Sequence, residues 1–194
     1  MPSSDDYRRK ALELYKRANN EAEPELSVEF QALATAYMRL AAFEDAIADL
    51  CKKVEALAPG ARTGVCIASV DASTLERAVF PTRPSSFQSA IQNLPMGPPY
   101  FGNCTAAMNG REIITTEDFA TETRFDEQFV KHCIRHGILS LQSRPVFDAD
   151  GRPLGTFVMG FEEPRAATDW DEALMLFAAD AVTRLLRRGE PQFT

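Results

Sequence analysis

The first third of the chain places apolar residues at helical spacing. From Asp5 onward they recur three or four positions apart, and the pattern resumes at Pro24, where a second helix is expected to begin. Over residues 43–57 they alternate four and three apart, which is the a/d seam of helices that pack side by side. Two heptads fit a partner helix in a second copy or in the same chain. The pattern therefore predicts an N-terminal helical segment over 1–57.

After Pro59-Gly60 the pattern changes to short apolar, β-branched runs that are separated by turn residues. Two pairs of such runs surround turns, which predicts two β-hairpins, at 63–80 and at 138–161. The remaining predicted elements are a short helix at 84–91, a strand at 112–116 after an Asn109-Gly110 turn, a helix at 126–136 and a last helix capped by Thr168. Hairpin-linked strands with helices between them indicate an α+β domain, an antiparallel sheet of five to six strands with helices on both faces.

The last helix is expected to bury one apolar face. Its members recur at helical spacing: Trp170, Ala173, Leu174, Phe177, Ala178, Ala181 and Leu185. Packing this face with the N-terminal helices on one side of the sheet is the simplest arrangement that removes it from water.

Composition narrows the class of protein. The chain has 194 residues, of which 45% are hydrophobic and 25% charged, and these values are typical of one ordinary domain with a short extension. Its apolar runs are too short to span a membrane, and the acidic N-terminus is unlike a secretory signal, so a cytoplasmic protein without a membrane partner is expected. The net charge of -7 disfavours binding to nucleic acid.

Five short motifs occur in a fixed order between residues 94 and 157. They are LPMGP at 94–98, GNCTAA at 102–107, the segment 114–125, HGI followed by SRPV at 136–146, and GTF at 155–157. Together they resemble the GAF domain, the small-molecule sensor module of bacterial signalling proteins. The chain departs from the family pattern at Thr105, Thr123 and Phe125, where the family has glycine, proline and tryptophan. These changes alter the wall of the expected pocket, so no ligand is transferred from a relative.

The resemblance implies a GAF domain over 58–188, followed by a tail at 189–194. It also implies a ligand site between one sheet face and the loops and short helices that cover it. The residues expected to line that site are Phe87, Ile91, Tyr100, Cys104, Thr105, Asp118, Phe119, Phe125, Leu141 and Ser143. Alternatively, these residues only close a small core over the sheet.

The resemblance therefore predicts a sensor and not an enzyme. A small molecule of unknown identity would bind, no particular cofactor being indicated, and a homodimer would transmit its occupancy through the terminal helices to a downstream signalling protein. The competing interpretation is a ligand-free dimerisation or protein-interaction module. Free methionine sulfoxide reductase shares the GAF fold and has cysteines near the positions of Cys104 and Cys133. However, the central strands here lack the carboxylates that would hold a free amino acid.

Cysteine and histidine offer the remaining candidate chemistry. Cys104 is expected near a helix N-terminus, where it would be either a reactive thiolate or a small buried hydrophobe. His132 and His136 lie one helical turn apart, a spacing that can bind a metal, but no second segment completes a ligand set. Surface or helix-capping histidines are the expected interpretation.

Overall fold

The computed structural model describes residues 3–189, which form two compact units. The first comprises residues 3–46 with 188 and 189, and the second comprises Ile47–Arg187. In the first unit, α1 (Ser4–Asn20) begins with a capping box in which the Ser3 hydroxyl accepts from Asp6 N. The next helix, α2 (Pro24–Leu57), contributes its residues up to Ala46 to this unit. Ala11, Leu14 and Ala34 are the buried centre of the unit. The helical N-terminal segment is thus present as predicted, and α2 ends at the expected boundary, Leu57.

The second unit is built on a six-stranded antiparallel sheet. Its strands are β1 (Ala61–Ala68), β2 (Thr74–Val79), β3 (Leu94–Pro95), β4 (Ile114–Thr116), β5 (Ser140–Phe147) and β6 (Pro153–Phe161). Their order across the sheet is β3-β2-β1-β6-β5-β4. The neighbours β1 and β2, and β5 and β6, are the two predicted hairpins. The α+β fold class is confirmed.

Four helices follow α2 in the chain. They are α3 (Ser85–Ala90), α4 (Asn103–Gly110), α5 (Glu127–Arg135) and α6 (Asp169–Gly189). The predicted Asn109-Gly110 turn is wrong, because these two residues complete α4. The chain reverses one residue later, at Arg111, which adopts the left-handed conformation with φ 59° and donates its backbone N–H to Ala107 O. A chain reversal is therefore present, but it lies one residue after the predicted turn.

Strand alternation gives the sheet two different faces. One face carries Cys66, Leu141 and Val158, and α3, α4 and α5 lie over it; we call it the covered face. On the opposite face the Thr63 hydroxyl donates to Cys51 O of α2 at 3.1 Å, so the last turns of α2 lie behind the sheet. Helices on both faces are therefore present, as predicted.

The apolar face predicted for α6 is wrong in part: Leu174 and Ala178 are buried, and Ala181 and Leu185 are half-buried. Trp170, Ala173 and Phe177 are exposed, and the helix buries a stripe displaced around its axis: Leu174, Met175, Ala178, Ala179, Val182 and Leu186. The seam of α2 is also shorter than expected, since Leu57 is 52% exposed. The error in α6 arises because this helix is apolar on more than one side, and periodicity cannot then say which side faces the core.

The domain expected over 58–188 stays a prediction, and the second compact unit begins earlier in the chain, at Ile47. Residues 47–57 of α2 belong to the second compact unit, together with the sheet. Gly189 is the last residue of α6, and the rest of the predicted tail, 190–194, lies outside the described residues. Among residues 3–189, no helix has an apolar stretch long enough to cross a membrane.

Candidate functional site

The covered face lies beneath five chain segments, which we call the cover. They are α3, the segment 97–101, α4, the segment 117–125 and α5. The segment 117–125 is attached to β4 by hydrogen bonds of two charged side chains, which also pair with each other. Glu122 accepts from the Thr116 hydroxyl at 2.7 Å, and Arg124 donates to Thr115 O at 2.8 Å. The amide of Asn103, at the start of α4, donates to the same Thr116 hydroxyl at 3.2 Å. One polar network thus connects β4, α4 and this segment.

The Glu122 carboxylate remains charged in this network. Its side chain is only 5% exposed, and the hydrogen bond from Arg124 lowers the pKa of Glu122 to about 2. A buried carboxylate with two donors is stable in the ionised form. The hydrogen bonds of Glu122 that attach the segment 117–125 to β4 therefore do not depend on pH near neutrality.

Between the cover and the sheet lies a small apolar cavity. Its volume is about 20 Å³, which is room for a single water-sized molecule. The lining residues are Cys66, Leu75, Phe80, Phe87, Ile91, Leu94, Phe101, Gly102, Cys104, Thr105, Phe129, Cys133, Leu141 and Val158. None of them is charged, so the cavity has no group to pair with a charged ligand.

Aromatic side chains fill most of the space under the cover. Phe129 of α5 is central, with its ring centroid 5.5 Å from that of Phe101, 5.9 Å from that of Phe119 and 6.3 Å from that of Phe125. On the α3 side, Phe87 contacts Phe80 edge to face at 5.1 Å. The covered face is therefore packed like a protein core.

Half of the residues predicted to bind a ligand line the cavity. These are Phe87, Ile91, Cys104, Thr105 and Leu141. Ser143 lies beside them, with its hydroxyl 3.5 Å from the Cys104 sulfur, and Phe119 and Phe125 pack around Phe129. Tyr100 and Asp118 do not line it; the Asp118 carboxylate accepts from Ala120 N within its own turn. Ligand binding by these residues remains a prediction.

The sequence interpretation missed several lining residues. Phe80, Phe129 and Cys66 all line the cavity. Phe129 and Cys133 lie four positions apart on α5 and are both buried. Their spacing places them on one side of the helix, so the sequence could have predicted that this side faces the core. Cys66 could be predicted only in part, because alternation along β1 assigns it to one face of the strand without indicating which face the short helices cover.

Two motif glycines are required by close packing. A Cβ at Gly102 would lie 2.5 Å from the Phe129 ring, and a Cβ at Gly155 would lie 2.1 Å from the carbonyl oxygen of Cys66. Such distances leave no room for a side chain. These glycines therefore allow α5 to approach the start of α4 and allow β6 to approach β1.

Cys66 and Cys104 are in contact, although 38 positions separate them in the chain. The Cys66 thiol donates to the Cys104 sulfur at 3.6 Å. That hydrogen bond lowers the pKa of Cys104 to about 7 and raises the pKa of Cys66 well above its usual value. Burial raises the pKa of Cys51 and of Cys133. Cys104 is thus the thiol that ionises most readily.

The two histidines serve packing in this structure. The His132 ring stacks on Phe87, and the His136 ring lies 5.5 Å from Phe87 at 65°. Within residues 3–189, no group of three or more histidine, cysteine or carboxylate side chains is placed to hold a metal ion.

Comparison with known proteins identifies the fold. No family model and no curated protein matches the chain. The GAF domain of a two-component sensor histidine kinase from Bacillus halodurans has a TM-score of 0.60 and 14% identity, covering 76% of this chain and 95% of its own. The GAF domain/HD domain protein from Geobacter sulfurreducens has a TM-score of 0.59 and 13% identity, covering 78% and 97%.

A third similar structure is an enzyme. Free methionine-R-sulfoxide reductase from Neisseria meningitidis, solved in complex with its substrate, has a TM-score of 0.56 and 12% identity, covering 96% of this chain and 91% of its own. At these identities the likeness establishes the fold alone. The resemblance seen in the motifs is confirmed: the chain has the GAF fold.

Proposed function

We propose that this chain is a sensory module, cytoplasmic and bacterial, that binds a small apolar molecule under the cover and passes the change to a signalling partner. The observation that carries the proposal is the uncharged cavity, enclosed between the sheet and short cover segments at the place where the motifs predict a site. GAF domains of sensor kinases with the same fold support a sensory role.

Ligand binding requires the cover to open. A cavity of about 20 Å³ holds no more than a water, so a larger ligand must displace side chains. Phe101 is the best placed of these, because it is half-buried, lines the cavity and lies on the segment 97–101. The backbone of that segment makes no hydrogen bond with any described residue, and two of its residues are prolines, which lack the N–H.

Such opening would itself be the signal. A ligand that binds only the open form shifts the population toward it by its difference in affinity for the two forms. Its apparent affinity is weakened by the fraction of molecules that are open, so a variant that is already open should bind more tightly.

The experiment compares ligand binding by three forms of the protein. A thermal-shift screen of the wild type against cyclic nucleotides, haem, bilins, fatty acids and amino acids identifies a ligand class, and titration then measures Kd. Phe101→Ala is expected to lower Kd at least about tenfold, because the displaced ring is gone. Tyr100→Ala is the matched control, since Tyr100 lies in the same segment and does not line the cavity.

Two outcomes contradict the proposal. The first is a screen without a shift for both the wild type and Phe101→Ala. The second is a ligand whose Kd is unaffected by Phe101→Ala, which would locate its site elsewhere.

The second candidate is a ligand-free interaction or dimerisation module. The filled cavity favours it, as do the exposed aromatic side chains of α6, Trp170 at 57% and Phe177 at 59%. A second copy of the chain is the partner we propose for this surface, because the a/d seam and α6 are the helices that the sequence assigned to a homodimer. Reductase activity has the weakest support, since no carboxylate lines the cavity to hold the ammonium of methionine sulfoxide.

A further inference from the structure

The cavity is lined by three cysteines from three different elements. Cys66 lies on β1, Cys104 in the first turn of α4 and Cys133 on α5. All three are buried, and the sulfur atoms of Cys66 and Cys104 are 3.6 Å apart. A disulfide bond needs about 2.05 Å, so an approach of about 1.5 Å would join them. Cys51, the fourth cysteine, lies on α2 behind the opposite face and does not line the cavity.

The surroundings of the pair make its two thiols unequal. Cys104 accepts from Cys66 and lies 3.5 Å from the Ser143 hydroxyl. Thr156 lies directly across from Cys66 in the β1–β6 ladder. One sulfur is thus stabilised as a thiolate while its neighbour keeps a proton, which is the arrangement of an attacking and a resolving thiol.

The size of the cavity limits which oxidant can reach the pair. Cys104 is 8% exposed, and the adjoining space of about 20 Å³ accepts only a molecule close to water in size. The lining has no cationic side chain, and the Cys104 thiolate would repel an anion, so a neutral molecule is favoured. Hydrogen peroxide is a neutral oxidant of nearly this size, whereas organic hydroperoxides are several times larger.

We propose that Cys66 and Cys104 form a peroxide-oxidised dithiol that closes to an intramolecular disulfide beneath the cover. The Cys104 thiolate attacks one oxygen of hydrogen peroxide, the O–O bond breaks, and Cys104 becomes a sulfenic acid while hydroxide leaves. The proton that Cys104 lost on ionising converts the hydroxide to water. The Cys66 sulfur then attacks the Cys104 sulfur, the S–O bond breaks, and the Cys66 proton leaves with the oxygen as a second water. Two thiols and one peroxide thus give one disulfide and two waters.

This inference goes beyond the proposed sensory function, because the thiol chemistry requires no ligand. The disulfide would join β1 to the start of α4 and so fasten the cover to the sheet. The oxidised protein should therefore have a higher Tm than the reduced protein, and addition of dithiothreitol should reverse the change.

The test uses the whole chain treated with hydrogen peroxide, then denatured and alkylated with iodoacetamide. Before alkylation, the intact mass should be lower by two hydrogens than that of the reduced protein. After alkylation, we expect two of the four thiols to be modified and a peptide map that joins Cys66 to Cys104. Four alkylated thiols after treatment, or a disulfide that involves Cys51 or Cys133, would overturn the proposal.

Serine variants distinguish the attacking thiol, Cys104, from the resolving thiol, Cys66. Cys66→Ser should stop at the Cys104 sulfenic acid, which dimedone traps, and Cys104→Ser should slow the reaction with peroxide at least about tenfold. Cys51→Ser is the matched control: it also removes a buried thiol, and it should still form the disulfide. In the Cys104→Ser variant, dimedone labelling of Cys66 at the rate at which peroxide oxidises the wild type would contradict the assignment of Cys104 as the attacking thiol and Cys66 as the resolving thiol.

A second test compares two oxidants on the wild-type protein and therefore does not depend on the folding of any variant. Hydrogen peroxide should close the disulfide at least about tenfold faster than cumene hydroperoxide at equal concentration, because the larger molecule reaches Cys104 only in the fraction of molecules whose cover is open. Equal rates would overturn the size argument and with it the choice of oxidant.

Discussion

The imidazole ring of His132 stacks on the ring of Phe87, with 5.1 Å between the centroids and 10° between the planes. This contact joins α5 to α3 across the covered face. It also desolvates the imidazole, and burial, followed by the nearby His136, lowers the pKa of His132. The stacked histidine is thus neutral near pH 7.

Acidification should weaken the fold through His132. Because its pKa is lower in the folded chain than in the unfolded chain, the unfolded state gains a proton first as the pH falls. The free energy of unfolding should therefore be constant above about 6.5, the usual histidine pKa, and decrease below it until the lowered pKa is reached. His132→Phe keeps a stacked ring without the charge, so urea unfolding of this variant should show a shallower decrease between pH 7 and 5. An identical pH profile in both proteins would contradict this assignment.

Substitution of Gly155 should be severely destabilising. A Cβ at this position would lie 2.1 Å from a backbone carbonyl oxygen, and backbone between two central strands cannot move aside as a side chain can. We expect Gly155→Ala to lower the free energy of unfolding by at least about 3 kcal/mol, measured by urea denaturation. Gly97→Ala is the control, since nothing lies within 4 Å of its Cβ, and it should change the value by less than about 0.5 kcal/mol.

The start of α6 depends on one buried carboxylate. Asp171 accepts from Thr168 N at 2.9 Å, from the Thr168 hydroxyl at 2.7 Å and from Arg165. Asp171→Asn removes the charge and leaves donors without a full set of acceptors, so we expect a loss of about 1–3 kcal/mol in thermal or urea unfolding. Asp169→Asn changes an exposed aspartate in the same turn, and an equal loss there would show that helix charge and not the hydrogen bonds is responsible.

The proposed homodimer should depend on the exposed apolar side of α6. Phe177→Glu places a charge on this surface without disturbing the buried stripe, so the dimer should dissociate at protein concentrations at least about tenfold higher than for the wild type. Light scattering coupled to size exclusion measures this directly. Glu172→Gln, an exposed change on the same helix, should leave the mass unaltered. A monomeric wild type at all concentrations would reject the dimer.

The parts of the fold that were predictable from sequence are those fixed by neighbours in the chain. Asp126 precedes α5 and accepts from Gln128 N and Phe129 N, and Gly137 follows it with φ 67°. Both are short-range signals with a known mechanism, and both ends of the helix were placed correctly. The two hairpins were predicted for the same reason, since their turn residues lie between their own strands.

The parts that were not predictable depend on contacts between distant segments. Nothing in the sequence indicates that Phe80 covers Gly64, where a Cβ would lie 2.2 Å from its ring, or that Cys66 touches Cys104. Such contacts are set by strand register and by the position of the cover, which local spacing does not encode. The degree to which the cavity is filled has the same origin, because it depends on where Phe101 and Phe129 meet.

The cover is held unequally along its length. At one end, the buried Glu122 and its partner Arg124 attach the segment 117–125 to β4 with ionic hydrogen bonds. At the other end, the segment 97–101 has no backbone hydrogen bonds of its own with described residues. Local opening of the domain should therefore begin at the proline-containing segment 97–101 and leave the hydrogen bonds of Glu122 and Arg124 intact. Displacement of the Phe101 side chain would then be the route by which molecules enter the cavity.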